Sequence, residues 1–371
     1  MAADALKPLQ RLSALGQSAW VDFLSRESNR GGHLQELIDD YSVVGATSNP
    51  TIFEKAMTAG EAYDEQIHEC SERGWDVDAT FWALAQQDIE DACDVFRAVW
   101  ERTAAGDGYV SLEVDPRLAY DTLETFREAI RLHEQVDRPN LLVKIPATKP
   151  GLAAIEDVIA KGRSVNVTLI FSLRRYAEVA ESYVRGLERL VAEGGDPTKV
   201  ASVASFFVSR IDTEADRRLD ELGAGEHLKG KLAIANARLA YAHYVKTFAG
   251  PRWEFLAAKG ASPQRVLWAS TSTKNPAYKD TLYVDELIGP DTVNTMPEET
   301  IMAFQDHGQP QPRLARGLED AGRVLRELEI VGVDYKDLTD TLEREGVQKF
   351  SDSFAELMQS LEQKRSSLAP V

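Results

Sequence analysis

Short apolar runs alternate along the chain with longer stretches in which hydrophobic and polar positions have helical spacing. The apolar runs predict β-strands, and the stretches between them predict amphipathic helices. Strands that alternate with helices are typical of repeated βαβ units around a parallel sheet. Eight strands are predicted, at residues 20–24, 42–49, 109–115, 140–147, 164–171, 200–211, 265–271 and 292–295.

Eight such units predict an α/β fold, a (β/α)8 TIM barrel with extra N-terminal and C-terminal helices. The N-terminal helix is expected near residues 5–17, and residues 313–371 are expected to form a helical extension packed on the barrel. No low-complexity linker divides the chain, so residues 1–371 are interpreted as a single domain. A doubly wound open sheet is the alternative, although no G-x-G-x-x-G motif follows the first predicted strand.

The charge balance narrows the classes of partner. The chain has 42 lysine and arginine residues against 60 aspartate and glutamate residues, a net charge of −18. Nucleic acid is therefore not expected as a partner, because such binding usually requires a basic surface. The six histidines are scattered along the chain, which predicts no metal site.

Other features of the sequence concern the compartment. Two widely separated cysteines fit a reducing cytosol. The sequence has neither a start of signal-peptide type nor a run of about 18 apolar residues. We therefore expect a cytoplasmic protein with no membrane partner. The choice between a monomer and a homodimer stays open.

Alternate positions along several strands are polar, and they fall on one face of each strand. Such a strand is most often half exposed to solvent. In a barrel, however, the apolar face would contact the helices and the polar face would point inward, towards a site at the carboxyl ends of the strands. The residues of this inward set are Thr47, Asn49, Glu113, Lys144, Asn166, Thr168, Ser205 and Phe207.

Lys144 is the candidate nucleophile, because it interrupts the apolar run LLVKIP. A free lysine has a pKa of about 10.4, so few amines are neutral at pH 7. Burial disfavours the charged form, and a neutral amine can attack a carbonyl to form a Schiff base. The alternative is a lysine at a strand end whose amine reaches solvent.

Asp22 and Glu113 are the candidate acid and base, since Schiff-base chemistry requires several proton transfers. The alternatives are a helix N-cap for Asp22 and a pairing with arginine for Glu113. Asn49 and Asn166 could position a substrate hydroxyl or hold the lysine, and Thr168 could hold a catalytic water. Asn49 precedes a proline and could equally be a turn residue, and Thr168 could be an ordinary strand residue.

A phosphate subsite is predicted after the sixth and seventh strands, where barrel enzymes often bind phosphate. Its candidate ligands are Ser205, Arg210, Ser270 and Lys274. Arginine can bind phosphate with two parallel hydrogen bonds, and hydroxyls add donors. The alternative is that Arg210 pairs with an acidic residue at the start of the next helix.

Six sequence blocks, in this order, resemble those of the transaldolase family, and the resemblance covers nearly the whole chain. A further block, YVDELIGPDTVNTMP, is similar to the long members, of the actinobacterial type or of the isomerase-associated subgroup, although no isomerase domain is found in this sequence. The six blocks are GATSNPTIFEKA, SLEVDPRLAYDT, LLVKIPAT, VNVTLIFS, ASFFVSRID and LWASTSTKNPAY. The sequence departs from the family pattern near Ser272, where many relatives carry an arginine and closer ones a glycine, and Lys274 is the substitute that we consider there.

The resemblance implies a transferase that uses no cofactor and acts on sugar phosphates in the non-oxidative pentose phosphate pathway. Lys144 would form a Schiff base with sedoheptulose 7-phosphate, and Asp22 would be the acid and base of carbon–carbon cleavage. Glu113 would assist through a water held by Thr168. A dihydroxyacetone unit would pass to glyceraldehyde 3-phosphate, which gives erythrose 4-phosphate and fructose 6-phosphate.

The resemblance also implies substrate-binding roles. Asn49 and Asn166 would orient the dihydroxyacetone unit, and Arg210 would bind the phosphate. Thr47, Ser205 and Phe207 would line the pocket. Two other functions stay open: a fructose-6-phosphate-type class I aldolase that releases free dihydroxyacetone, and a barrel that binds sugar phosphates without catalysis.

Overall fold

Eight parallel strands close into a barrel in which each strand lies beside the next one in chain order, and the eighth pairs with the first. This arrangement confirms the predicted TIM barrel. The computed structural model describes residues 6–368. The strands are β1 (Gln17–Val21), β2 (Val43–Thr47), β3 (Tyr109–Glu113), β4 (Leu141–Pro146), β5 (Val165–Ile170), β6 (Ser202–Phe207), β7 (Arg265–Ala269) and β8 (Thr292–Met296).

Helices surround the barrel and extend it at both ends of the chain. Short 3₁₀ helices also occur at Pro116–Leu118, Pro197–Lys199 and Glu226–Leu228. Within residues 6–368 the α-helices are α1 (Pro8–Ala14), α2 (Arg26–Arg30), α3 (His33–Tyr41), α4 (Pro50–Thr58), α5 (Asp64–Glu72), α6 (Val77–Arg102), α7 (Thr122–Val136), α8 (Lys149–Ala160), α9 (Leu173–Ala192), α10 (Ser209–Leu222), α11 (Leu232–Thr247), α12 (Pro251–Ala257), α13 (Leu282–Glu286), α14 (Glu298–His307), α15 (Leu318–Val331) and α16 (Tyr335–Leu368).

The first strand begins earlier in the chain than its hydropathy predicts. The strand predicted at 20–24 was placed three residues too late, because β1 spans Gln17–Val21. The helix expected near 5–17 is shorter than predicted, since α1 spans Pro8–Ala14; residue 5 lies outside the described residues. Gln17 is polar but buried, since its amide donates hydrogen bonds to the Leu287 carbonyl at 2.7 Å and to the Thr292 hydroxyl at 3.0 Å. A polar residue that is buried and hydrogen-bonded through its amide nitrogen cannot be recognised from an apolar pattern.

The sixth strand is shorter than its apolar run. It was predicted at 200–211, but β6 ends at Phe207 and Ser209 begins α10. Ser209 and Ile211, in the first turn of α10, are buried as the residues of the strand are. Hydropathy alone does not separate two consecutive buried elements.

The long helix α16 crosses the carboxyl end of the barrel. It contacts α10, which follows β6, and also α4, which follows β2 on the opposite side of the barrel. With 34 residues it is about 50 Å long, enough to span this distance. At Gly346 the helix backbone lies so close to Leu169 and Phe171 that an added Cβ would be 3.2 and 3.4 Å from their side chains.

Among the described residues, no helix has the length and apolar character needed to cross a membrane.

A buried ion pair fixes the segment that follows β1 against α6. Arg26 Nε lies 3.0 Å from Asp88 Oδ1, and the Tyr63 hydroxyl donates to the other carboxylate oxygen at 2.7 Å. The two charged side chains are 7% and 0% exposed.

We predict that Asp88→Asn destabilises the fold by about 3 kcal/mol, because it leaves the Arg26 cation buried without a counter-charge. Asp91→Asn is the matched control on the same helix, since its partner Arg30 has a side chain that is 55% exposed. Its expected cost is below about 1 kcal/mol. Urea unfolding measures both variants, and equal losses would contradict this account of the Arg26–Asp88 pair.

Candidate active site

Lys144 lies near the carboxyl end of β4 and points into the barrel. Its amine donates to the Ser48 main-chain carbonyl at 3.1 Å and to Glu113 Oε2 at 3.4 Å. The side chain is 7% exposed. The solvent-exposed alternative for this lysine is therefore not what the structure contains.

Glu113 lies on β3 directly opposite Lys144 in the strand register. Burial raises the pKa of its carboxyl group to about 7, although the Lys144 charge and hydrogen bond act in the other direction. No arginine of the described residues forms an ion pair with it; its partner is Lys144. A carboxyl group with this pKa can both donate and accept a proton near neutral pH.

Asp22 follows β1 and faces the same space. Thr47 donates a hydrogen bond to its Oδ1 at 2.6 Å, and the Thr47 and Thr295 hydroxyls are 2.7 Å apart. Burial raises the pKa of Asp22, while Lys144, Thr47 and Arg210 oppose the rise. The N-cap alternative is excluded, because the Ser25 side chain caps α2.

Asn166 and Thr168 lie on β5 at successive inward positions. The Asn166 amide donates to the Ser111 hydroxyl at 3.0 Å and accepts from the Ser205 hydroxyl at 2.7 Å. The Thr168 hydroxyl is buried and has no hydrogen-bond partner among the described residues. A buried hydroxyl without a protein partner is a suitable place for an ordered water.

Asn49 has two roles in the geometry. Its side chain caps α4 by accepting a hydrogen bond from the Ile52 amide at 3.1 Å, as the turn alternative requires. The same residue also lines the cavity above Lys144.

Arg210 is the second residue of α10, and its guanidinium lies 5.2 Å from the centroid of the Phe207 ring. Burial lowers its pKa, and Asp22 partly offsets this effect. The proposed pairing with an acidic neighbour does not occur. Asp212 instead accepts from the Ala233 amide and the Tyr283 hydroxyl, and the other acidic neighbour, Glu214, pairs with arginines of its own helix.

The seventh strand leads to the other two predicted phosphate ligands. The Ser270 hydroxyl is 2.8 Å from that of Ser209. The Lys274 amine donates to the Ser272 hydroxyl at 2.9 Å and is exposed. Both residues lie at the rim of the barrel, on the same side as Arg210.

These residues enclose a cavity of about 150 Å³ that opens beside a vestibule of about 790 Å³. Of the predicted residues, Glu113 and Asn166 do not line the cavity, but each bonds to a residue that does. The predicted residues that line it are Asp22, Thr47, Asn49, Lys144, Thr168, Ser205, Phe207, Arg210, Ser270 and Lys274.

A second cavity, of about 750 Å³, lies where the chain enters β4, β5 and β6, and its lining includes Trp100, His133 and Arg163. It lies at the opposite end of the strands from Lys144. Among the described residues, no group of three or more potential ligands could hold a metal ion.

Three residues of the site were missed from the sequence. Ser48 contributes a main-chain carbonyl, which no side-chain pattern predicts. Thr295 could have been found, because it lies at an inward position of the predicted eighth strand. Phe350 of α16 lies with its ring centroid 5.4 Å from the Lys144 amine, and nothing in its helical surroundings distinguishes it from a core phenylalanine.

A closed eight-stranded barrel with its polar cluster at the carboxyl ends of the strands belongs to the TIM-barrel enzymes. The model of the family described as transaldolase/fructose-6-phosphate aldolase matches residues 19–361, and the chain belongs to this family. The resemblance predicted from the sequence blocks is thereby confirmed.

Individual relatives agree over nearly the full length. A transaldolase of Parafrankia sp. (strain EAN1pec) is 55% identical over 98% of this chain and 99% of its own length. Transaldolases of Saccharopolyspora erythraea and Mycolicibacterium paratuberculosis are 53% and 54% identical, over 95% and 97% of this chain and 96% and 97% of their own. These relatives confirm the predicted class of enzyme, a transferase of the actinobacterial type.

The raised pKa of Glu113 predicts a pH dependence of stability. The folded protein holds this proton to about pH 7, whereas the ordinary value is 4.5, so the folded state binds more protons between these values. Stability should therefore fall as the pH rises through this window. Glu113→Gln should remove on the order of 2 kcal/mol of that fall.

Urea unfolding at pH 5 and pH 8 measures the difference for the unmodified protein and the variant. Glu61→Gln is the control, since Glu61 is exposed. A fall in stability of the same size in the Glu113 variant and the unmodified protein would contradict the assignment.

Proposed function

We propose that this chain transfers a dihydroxyacetone unit from sedoheptulose 7-phosphate to glyceraldehyde 3-phosphate through a Schiff base on Lys144. The products are erythrose 4-phosphate and fructose 6-phosphate. The observation that carries the proposal is the buried Lys144 amine held between the Ser48 carbonyl and a carboxyl group whose pKa is about 7. The names of the relatives support the same reaction.

The first half of the reaction attaches the donor sugar to the protein. The Lys144 amine attacks the ketose carbonyl, and water leaves as the carbon–nitrogen double bond forms. Glu113 exchanges the protons of this step, through a water held on the unpartnered Thr168 hydroxyl. The 3.4 Å contact between Lys144 and Glu113 supports this role, because it allows the proton to pass from one group to the other.

The second half breaks and remakes a carbon–carbon bond. Asp22 takes the proton of the hydroxyl on the fourth carbon, and the bond between the third and fourth carbons breaks. The aldose leaves, and the three-carbon unit stays on Lys144 until it attacks the acceptor aldehyde, to which Asp22 returns the proton. Water then adds to the carbon–nitrogen double bond of the new Schiff base, and the bond to nitrogen breaks to release fructose 6-phosphate and the lysine amine. The raised pKa of Asp22 supports this exchange, because it brings the carboxyl nearer to neutral pH.

The remaining residues hold the substrate in place. Asn49 and Asn166 orient the dihydroxyacetone unit, with Thr47, Ser205 and Phe207 as walls of the pocket. Ser205 and Asn166 are already hydrogen-bonded to each other, which fixes the direction of both groups.

Arg210 binds the phosphate, and Ser270 and Lys274 assist it. Arg210 is half-buried and has no ion pair among the described residues, so an anion would offset its desolvation. Lys274 reaches the place near Ser272 where many members of the family carry an arginine, and its amine is 2.9 Å from that hydroxyl.

The enzyme is proposed to act in the cytoplasm on sugar phosphates, without a cofactor, as a monomer or a homodimer. We also propose that the chain works as one domain, with residues 313–371 as a helical extension, of which residues 369–371 lie outside the described residues. The contacts of α16 with α4 and α10 support a single unit, since they join the extension to opposite sides of the barrel.

The main alternative within the family is an aldolase that releases free dihydroxyacetone. A non-catalytic barrel that binds sugar phosphates is a second alternative, and it would form no covalent bond. Incubation with fructose 6-phosphate and erythrose 4-phosphate separates these functions, because only a transferase forms sedoheptulose 7-phosphate.

We predict that incubation with fructose 6-phosphate followed by borohydride reduction leaves a three-carbon adduct on the peptide that carries Lys144. Reduction converts the Schiff base into a stable amine, which mass spectrometry detects after digestion. Lys144→Ala should form no adduct and should lose activity by about 10⁴-fold or more, because the nucleophile is absent.

Lys149→Ala is the control for this experiment. Lys149 is exposed at the start of α8, five residues further along the chain, and its replacement should leave the adduct and the activity unchanged. An active protein in which Lys144 stays unmodified would refute the mechanism.

We predict that Arg210→Ala lowers kcat/KM for fructose 6-phosphate by about 10- to 100-fold, as expected when a charged hydrogen-bond partner of the phosphate is lost. Lys274→Ala should lower it by only about two- to fivefold, because this lysine is exposed. Both losses should be much smaller with fructose, which lacks the phosphate. Equal losses with the two sugars would show that these residues do not bind phosphate.

A further inference from the structure

We propose that Phe350 of α16 excludes water from Lys144 and thereby directs the bound three-carbon unit to transfer rather than to hydrolytic release. This inference rests on the proposed Schiff-base function. It gives a positioning role to a residue that lies outside the barrel and far along the chain from the strands.

The first argument is the position of the ring. Its centroid is 5.4 Å from the Lys144 amine, while the lysine side chain is 7% exposed. The strands enclose Lys144 from the sides and from below, but the carboxyl end of a barrel is open unless another element covers it. Phe350 is the part of α16 that lies over this amine.

The second argument is that the ring lies where two cavities meet. Phe350 lines both the inner cavity of about 150 Å³ and the vestibule of about 790 Å³. Sites for complete small molecules usually measure about 300–1,000 Å³. The inner cavity is therefore suited to the three-carbon unit, and the vestibule has room for the rest of the sugar and for the acceptor.

The third argument is that the backbone of α16 is held on both sides of Phe350. One turn before it, Gly346 packs so closely on Leu169 and Phe171 that an added Cβ would lie 3.2 and 3.4 Å from their side chains. Further along the helix, the Lys364 amine donates to the Met57 and Gly60 carbonyls at 3.2 and 2.8 Å. These contacts hold the backbone of α16 on both sides of Phe350 and set the position from which its ring reaches Lys144.

An ion pair in the N-terminal half of α16 also holds the helix in place. Arg175 of α9 donates to both carboxylate oxygens of Glu343, at 3.1 Å each. The Arg175 side chain is only 9% exposed. This pair joins α16 to the helix that follows β5, near the strand that carries Thr168.

The access of water to Lys144 matters because the bound three-carbon unit can react in two ways. After the aldose leaves, the unit on Lys144 is an enamine. In transfer, its nucleophilic carbon forms a bond to the acceptor aldehyde, and the aldehyde oxygen gains a proton. In release, that carbon takes a proton instead, water adds to the resulting carbon–nitrogen double bond, and the bond to nitrogen breaks to give free dihydroxyacetone and the lysine amine.

Both fates end in hydrolysis of a Schiff base, but only release requires that the waiting enamine be protonated. A phenyl ring neither donates nor relays protons, and it occupies space beside Lys144 that water would otherwise fill. Phe350 therefore slows protonation while the acceptor arrives. Truncation of the ring should favour release over transfer.

The test compares Phe350→Ala and Phe350→Leu with Phe354→Leu. Phe354 lies on the same helix and is 2% exposed, but it lines neither the cavity nor the vestibule. The measured quantity is the rate of dihydroxyacetone release divided by the rate of sedoheptulose 7-phosphate formation, with saturating fructose 6-phosphate and erythrose 4-phosphate. A loss of folded protein lowers both rates together and leaves this ratio unchanged.

We expect the ratio to rise about tenfold in Phe350→Ala and less in Phe350→Leu, which keeps an apolar side chain. Phe354→Leu should lower the melting temperature but leave the ratio within about twofold of the unmodified protein. Phe350→Ala within that range would overturn the proposal, as would an equal rise in the Phe354 variant.

Borohydride trapping of the same samples separates this inference from the proposed function. If the unmodified protein gives no adduct at Lys144, the Schiff-base function fails and the ratio has no meaning for this mechanism. If the adduct forms in every variant while the ratio stays constant, the function stands and the role of Phe350 is refuted.

Discussion

The contact between the Lys144 amine and the Glu113 carboxyl, inside a closed barrel, is the constraint on which the site depends. Both side chains are at most 7% exposed. Because water is largely excluded, each group is the main charged and hydrogen-bonding partner of the other, and the Ser48 carbonyl accepts a further hydrogen bond from the Lys144 amine. The barrel makes this possible, because β3 and β4 place the two residues side by side in register.

The same low polarity explains why the carboxyl groups are suited to proton transfer. Burial is the largest effect on the pKa of both Asp22 and Glu113, and it exceeds the opposing attraction of Lys144. In an open groove, without this burial, the pKa values of the two carboxyl groups would lie closer to their ordinary values and both groups would be ionised at neutral pH. The enclosure therefore supplies reactivity as well as shape.

The sequence predicted the barrel and most of this cluster, because alternation in the strands directly reflects which side chains point inward. It failed where that alternation carries no information. Gln17 is a polar residue that is buried and hydrogen-bonded through its amide nitrogen, so the hydropathy pattern missed the start of β1, and Ser48 acts through its main chain. Phe350 was missed for a different reason, since its importance comes from a contact between segments about 200 residues apart.

The path of α16 has a consequence for the order of assembly. This helix follows all eight strands in the chain. All eight strands are therefore synthesised before the helix that covers the mouth of the barrel. Completion of the site thus depends on the docking of one late helix, and a barrel that closed before this helix docked would leave the Lys144 amine open to every aldehyde in solution.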